Sequence, residues 1–359
     1  MKKKNFVFVL MLALVGTLLA ACVEKESNAE SPSINSDKTY EFNLNVAASA
    51  SSPFVKGVAE PWAKYVEEKS DGRLKVNVYT GAALGSFNTS YADIKGNVYE
   101  AGVIIPGLNS DTDLFPLTIA DIPFILQSPV VAEKVLTEYY REYLNDISKE
   151  VTFIGVNTTD AFQLFGNEPV KKASDLKHKK ISDTVLGRIE LFKTLGATPV
   201  SMTNTELYES LERGIVDYSV YTAVGSFGFK FEEVTNWMTK LDMAVSVNPL
   251  FINTGFLNSL PEDLRELFIT DIGPRYTQSA TELYTAKAEE SIAKYEKLAA
   301  DRNGGVYIPT EEELAEWKAP VKKQLDDWVV EANKRGYDGQ AMMDTYVKLL
   351  ENEGVVVPK

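Results

Sequence analysis

Two residue types that carry much of enzyme chemistry are almost missing from this chain: among 359 residues there is one cysteine, Cys22, and one histidine, His178. A lone cysteine excludes an internal disulfide framework and a cysteine-rich metal site. The single histidine sits in the polar run DLKHKK (Asp175–Lys180), where a solvated turn suits it better than a base in a closed site. HExxH, GxSxG and the phosphate-cradling GxxxxGK[ST] are also absent, so the usual signatures of a metalloprotease, a serine hydrolase and a P-loop nucleotidase are missing. Carboxylates are plentiful, but no spacing singles out a catalytic pair. Positive charge is short as well: 37 Lys and Arg stand against 51 Asp and Glu, a net charge of −14. Such a surface repels nucleic acid and anionic lipid, which argues against a DNA-binding or peripheral-membrane role.

Long apolar runs are scarce too, and the one at Phe6–Leu19 is short for a membrane span. It follows Lys2, Lys3 and Lys4 and ends in Leu19-Ala20-Ala21-Cys22, the pattern of an export signal with a lipoprotein cleavage site. Residues 1–21 are therefore expected to be a signal peptide, and Cys22 the lipidated first residue of the mature chain. Loss of three lysines and no acids would deepen the net charge from −14 to −17. Residues 22–38 are polar, with proline and several serines, a tether rather than a core.

The remaining chain alternates strand and helix. Tyr40, Phe42, Leu44 and Val46 alternate with polar neighbours and predict a strand. After the small-residue loop Ala47–Ser52, Phe54, Val58, Trp62 and Val66 recur every four residues, a helix that stops near Gly72; Leu74, Val76 and Val78 then alternate again. Strand, helix, strand is a βαβ unit and implies a largely parallel sheet covered by helices. Ligands on such sheets bind beyond the carboxyl ends of the strands, so the loops Ala47–Ser52 and GAALGSFN (Gly81–Asn88) are the first candidate site. Similar grammar returns in VTFIGVN (Val151–Asn157), KKISD and TPVSM. Thr203 with Glu206, and Thr310 with Glu313, are capping boxes that open helices; Gly214 closes the first. A helical stretch from Leu260 to about Arg302 has Pro261 in its first turn and an expected break at Gly273-Pro274.

Several marks recur in an order that resembles one family: EEKSDGRLKVNVYTGAALGS (Glu67–Ser86), ADIPFIL (Ala120–Leu126), EPVKKASDLKHKKIS (Glu168–Ser182), LGATPVSMTNTELYESLERGIVD (Leu195–Asp217), then FEEVTNW and LPEDLRELF. The chain is similar, from about Tyr40 to Glu353, to the extracytoplasmic solute receptors of tripartite ATP-independent periplasmic (TRAP) transporters. The resemblance implies an α/β, two-lobed fold like that of periplasmic binding proteins, with mixed sheets, a hinge and a long bracing helix. It places lobe I at 39–157 plus about 247–287 and lobe II at 158–246 plus about 288–359. It implies a monomer without cofactor, metal or catalytic residues, whose partners are a small-molecule ligand and the small and large membrane subunits.

Departures from the family pattern bear on the ligand. Such receptors usually carry an arginine after the K-[IL] of the DLKGLKIR segment, where its fork clamps a ligand carboxylate; here that position is Ser182. Where some members carry a second arginine the chain has Phe162, and a frequent asparagine is replaced by Tyr221. Three readings stay open. Arg188 could supply the missing cation for an organic acid. Alternatively, Ser49, Asn88, Ser182 and Asn204 could hold a neutral or cationic solute, with Phe87, Phe162 and Tyr221 stacking on it and Asn248 beside the second lobe crossing. In the third, the chain no longer transports. Outside the transporter class, the alternatives are a ligand sensor for a membrane kinase and an exported two-domain α/β enzyme.

Overall fold

The structure is a computed structural model that describes residues 38–147 and 149–358. The expected signal, Cys22 and almost all of the tether lie outside the described residues.

Among the described residues ten strands carry the architecture: β1 (Tyr40–Val46), β2 (Leu74–Thr80), β3 (Ala101–Val103), β4 (Val151–Gly166), β5 (Lys180–Ser182), β6 (Thr198–Val200), β7 (Tyr218–Thr222), β8 (Trp237–Thr239), β9 (Val245–Asn253) and β10 (Gly305–Tyr307). Their order is β2-β1-β3-β9-β4-β7-β5-β6, with β8 joining β4 to β10. Parallel pairs β1·β2, β1·β3, β5·β6 and β5·β7 occupy the two flanks. Antiparallel pairings of β9 with β3 and β4, and of β4 with β7 and β8, join the flanks into one mixed sheet.

The first βαβ unit is as the sequence predicts. Phe42, Leu44 and Val46 point into one core with Val58, Trp62 and Val66, while β2 pairs with β1 residue for residue from Tyr40↔Leu74 to Val46↔Thr80. Trp62 anchors this flank by donating its indole N–H to the Ile272 carbonyl at 2.8 Å. The helix above β1 opens with a single wider i→i+5 turn over Val55–Ala59 before its regular part, Glu60–Lys69.

Two elements depart from the expected outline. Val151–Asn157 is only the first part of a 16-residue strand: β4 runs on to Gly166, pairing with β9 first and with β7 and β8 afterwards. The break expected at Gly273-Pro274 does not occur. The helix of Glu262–Leu267 passes through a wide turn at Phe268–Ile272 into the 28-residue helix Gly273–Ala300. Pro274 follows directly on the wide turn, where i→i+5 bonding, as from Gly273 N–H to the Phe268 carbonyl, already replaces the regular ladder. Gly273 serves the packing: a Cβ there would lie 2.2 Å from the Ile154 carbonyl oxygen, so only glycine lets the helix meet β4 this closely. That long helix also packs against β8, β10 and the helix Pro129–Ile147, which makes it a brace along the sheet.

Both capping boxes form, at Thr203/Glu206 and Thr310/Glu313, and Gly214 takes a positive φ of 66° after its helix. His178 lies exposed in a left-handed turn, as its polar surroundings suggest.

Candidate functional site

The strand-end loops converge on a cleft of about 520 Å³. One wall is the loop after β1, with Ala47, Ala48, Ser49, Ser51, Ser52 and Phe54, joined by Gly81 and Phe87 from the loop after β2. The opposite wall is Phe162 on β4, Ser182 to Val185 and Arg188 after β5, and Tyr221, Thr222 and Phe229 from β7 and beyond. Asn157 and Thr159 of β4, Ser246 and Asn248 of β9, and Tyr284 of the bracing helix complete it. Asn157 and Asn248 are direct cross-strand partners. A smaller hollow of about 350 Å³ near the carboxyl end is lined by Phe124, Ile125, Val131, Val355 and Val356, with Lys318 its one charged side chain, and draws on none of these loops.

A bulge aims the cleft residues of β4. Between Thr158 and Ala161 the strand carries one residue more than β9, which re-phases its side chains so that Thr159 and Phe162 both reach the cleft. The extra residue leaves Asp160 turned toward the short helix Ala223–Ser226, whose Val224 N–H donates to Asp160 Oδ2 at 3.0 Å.

Arg188 and Asp183 are the charged side chains that line the cleft. Arg188 is 4% exposed, so it is a wall residue and not a surface arginine. Its guanidinium lies 3.8 Å from the centre of the Phe162 ring and donates through Nε to Asp183 Oδ2 at 2.7 Å and through Nη2 to Asp183 Oδ1 at 2.9 Å. Asp183 also accepts the N–H groups of Thr184 and Val185, which fixes it to its own backbone. The forked edge of Arg188 is thus occupied, while Nη1 makes no hydrogen bond among the described residues.

Two further carboxyls stand close by. Asp121, in the ADIPFIL segment, has an Oδ2 with no hydrogen-bond partner; burial pushes its pKa up to about 7, Arg188 pulling it down and Asp183 adding to the rise. Asp160 is 3% exposed with Oδ1 unpartnered, and burial raises it to about 6 against the pull of the Val224 and Ala223 amides and the Thr222 hydroxyl. Tyr221 and Tyr284 are both raised, first by burial and then by the charge of Asp160. Among the described residues no group of three or more His, Cys, Asp or Glu is placed to hold a metal ion.

Of the candidates named from sequence, Ser49, Phe87, Phe162, Ser182, Arg188, Tyr221 and Asn248 come together on the cleft. Asn88 does not: it is exposed and lies off the lining. Asn204 opens the helix Asn204–Glu212, and its side chain is not among those described. Sequence reasoning missed Asn157, Asp183, Tyr284 and the two buried carboxyls. One signal was available for Asp160, the single charged residue of the strand Val151–Gly166; none marks Tyr284, one of three tyrosines on the helix Gly273–Ala300.

Residues 44–331 match the family of bacterial extracellular solute-binding proteins, family 7. A solute-binding protein of Albidiferax ferrireducens is 23% identical over 246 residues, 67% of this chain and 72% of the relative. Among solved structures, a TRAP solute-binding protein from Rhodoferax ferrireducens with copurified benzoate superposes with a TM-score of 0.77 at 20% identity, covering 88% of this chain and 99% of that one. DctP6 of Bordetella pertussis, an extracytoplasmic solute receptor binding pyroglutamic acid, gives 0.74 at 20% identity, covering 86% of this chain and all of that one.

Proposed function

This chain belongs to the bacterial extracellular solute-binding proteins of family 7, the extracytoplasmic receptors of TRAP transporters, and we propose that its cleft captures one small solute and hands it to the membrane subunits of such a transporter. The observation that carries the reading is the cleft itself: loops from both flanks of the sheet meet there, and its walls combine aromatic rings with hydroxyl and amide groups. Benzoate and pyroglutamic acid, which two structurally similar proteins hold, support a solute of that size class. The usual clamp positions, Ser182 and Phe162, bring no cation to this cleft; Arg188 lies beside them.

In this reading the chain bends where β4 and β9 pass between lobe I (39–157 and about 247–287) and lobe II (158–246 and about 288–359). Asn157 and Asn248, paired across those strands, lie at that crossing. Closure would then use part of the binding energy to stabilise the form the membrane subunits recognise. Cys22 carries the lipid, and residues 22–38 tether the receptor to the outer face of the cytoplasmic membrane. Among the described residues no helix is long and apolar enough to cross a membrane. The protein is read as acting by binding rather than catalysis, in keeping with the solute receptors of its family.

A thermal-shift screen of the purified full-length protein against matched organic acids, their amides, polyols and amines tests the reading. A solute present at 100 times its dissociation constant adds about 2.7 kcal/mol of stability. A shift with one chemical set, without turnover of the solute, is the expected result; no shift with any set, or conversion of the solute to product, overturns it.

A further inference from the structure

We propose that the solute carries a positively charged nitrogen, seated against the rings of Tyr221 and Tyr284, with the nearby buried carboxylate of Asp160 as its counter-charge. The inference deepens the receptor reading and rests on it.

The charges at the cleft do not balance. On the cleft wall one basic side chain, Arg188, stands with one carboxyl, Asp183, and two more carboxyls, Asp121 and Asp160, are buried close by. Asp183 alone neutralises Arg188, through two hydrogen bonds between groups that are each about 5% exposed or less. An incoming carboxylate therefore finds the bidentate edge taken and only Nη1 left, beside a pair of zero net charge and a second acid, Asp121. Enclosing an anion without a free cation costs several kcal/mol.

The buried acceptors ask for the opposite charge. Asn157 lines the cleft at 1% exposure, and its Oδ1 accepts no hydrogen bond among the described residues. Asp160 is buried with Oδ1 equally unpartnered. An unpartnered acceptor on the cleft wall, as at Asn157, calls for a donor, and a nitrogen cation brings several. The groups that interact with Asp160 are Tyr221 and Tyr284, the Thr222 hydroxyl and the amides of Ala223 and Val224; none is a base. Tyr221 is braced by Phe229, edge on at 5.3 Å between ring centres, so the aromatic wall is already built. Ring faces attract ammonium groups by about 0.5–2 kcal/mol, more where water is excluded. Burial that lifts Asp160 to about 6 is the same uncompensated negative charge seen from the proton's side: a bound cation would draw that proton off.

The test is calorimetric titration and thermal shift of the full-length protein with benzylamine and choline, set against benzoate and benzyl alcohol. The amines are expected to raise the melting midpoint and to bind at least tenfold tighter than benzyl alcohol, with benzoate inert. Asp160→Asn should lose at least tenfold in amine affinity, and if that variant does not fold, Tyr284→Leu is expected to show the same loss. The proposal is overturned if benzoate or the alcohol binds better than the amines, if the amines bind the variants as tightly as the parent, or if millimolar amine gives no shift. Binding of benzoate alone would leave the receptor reading standing and remove only the cation; silence from all four probes and from the wider screen would remove both.

Discussion

Arg188 rests its guanidinium over Phe162, 3.8 Å from the ring centre, while its Nε and Nη2 are held by Asp183. Phe162 occupies a position where some members of the family carry an arginine, so an aromatic ring now supports a cation delivered from a neighbouring helix. Removing Arg188 leaves Asp183 buried with only its two backbone donors. Arg188→Met is expected to cost about 3–5 kcal/mol of stability, the range for breaking a buried pair from one side. The double variant Arg188→Met/Asp183→Asn should recover much of that loss in urea denaturation. A single variant as stable as the parent would mean the pair contributes nothing to folding.

Gly273 is set against β4 so closely that a Cβ would stand 2.2 Å from the Ile154 carbonyl oxygen. Backbone cannot yield there as a flexible side chain would. Gly273→Ala should therefore destabilise by about 1–3 kcal/mol, the usual range for overpacking, although alanine favours helix elsewhere. Thermal denaturation reads this directly, and a raised midpoint would contradict the close approach.

Asp121 and Asp160 ionise at higher pH when folded, near 7 and near 6 against 3.8 as their ordinary value. The folded chain then holds more protons than the unfolded chain between those limits. Their contribution to stability is full below about pH 3.8 and is lost as pH rises through 6 and 7, each tenfold change in proton affinity being worth about 1.4 kcal/mol. Asp121→Asn should flatten the fall in stability between pH 5 and pH 8 that urea titrations show for the parent. An identical pH profile in the two proteins would refute the raised carboxyl.

Amine affinity should follow Asp160 in the opposite sense. Protonation removes the counter-charge, so benzylamine is expected to bind several-fold more weakly at pH 5 than at pH 7.5, and the dependence should vanish in Asp160→Asn. Equal pH dependence in parent and variant would assign the effect to another group.

Much of the scaffold was legible in advance because it is local. Alternation gave β1 and β2, four-residue spacing gave Val58, Trp62 and Val66, and the Thr-x-x-Glu boxes gave two helix starts. What stayed hidden depends on distant partners. The full reach of β4 is set by β7 and β8 far along the chain, and Gly273 looks like a helix break until Ile154 is placed against it. The same holds at the cleft. Ser182 is found at the end of an ordered mark and Phe162 by comparison with the family pattern, whereas only the contacts with Asp183 and Phe162 put Arg188 in the cleft wall. Asp160 reaches its position through one extra residue in β4, a phase change that periodicity alone does not reveal.

Ser49 offers the most direct test of the cleft as the binding site, because it is exposed on the loop after β1 and faces the opening without supporting the core. Solute titration of the parent and of Ser49→Trp, using whichever screened solute stabilises the parent most, compares an open cleft with a filled one. The account predicts that Ser49→Trp keeps the parent's melting midpoint without solute and loses at least tenfold in affinity. Undiminished binding to the filled cleft would show that the solute sits elsewhere and that this cleft is not the receptor's site.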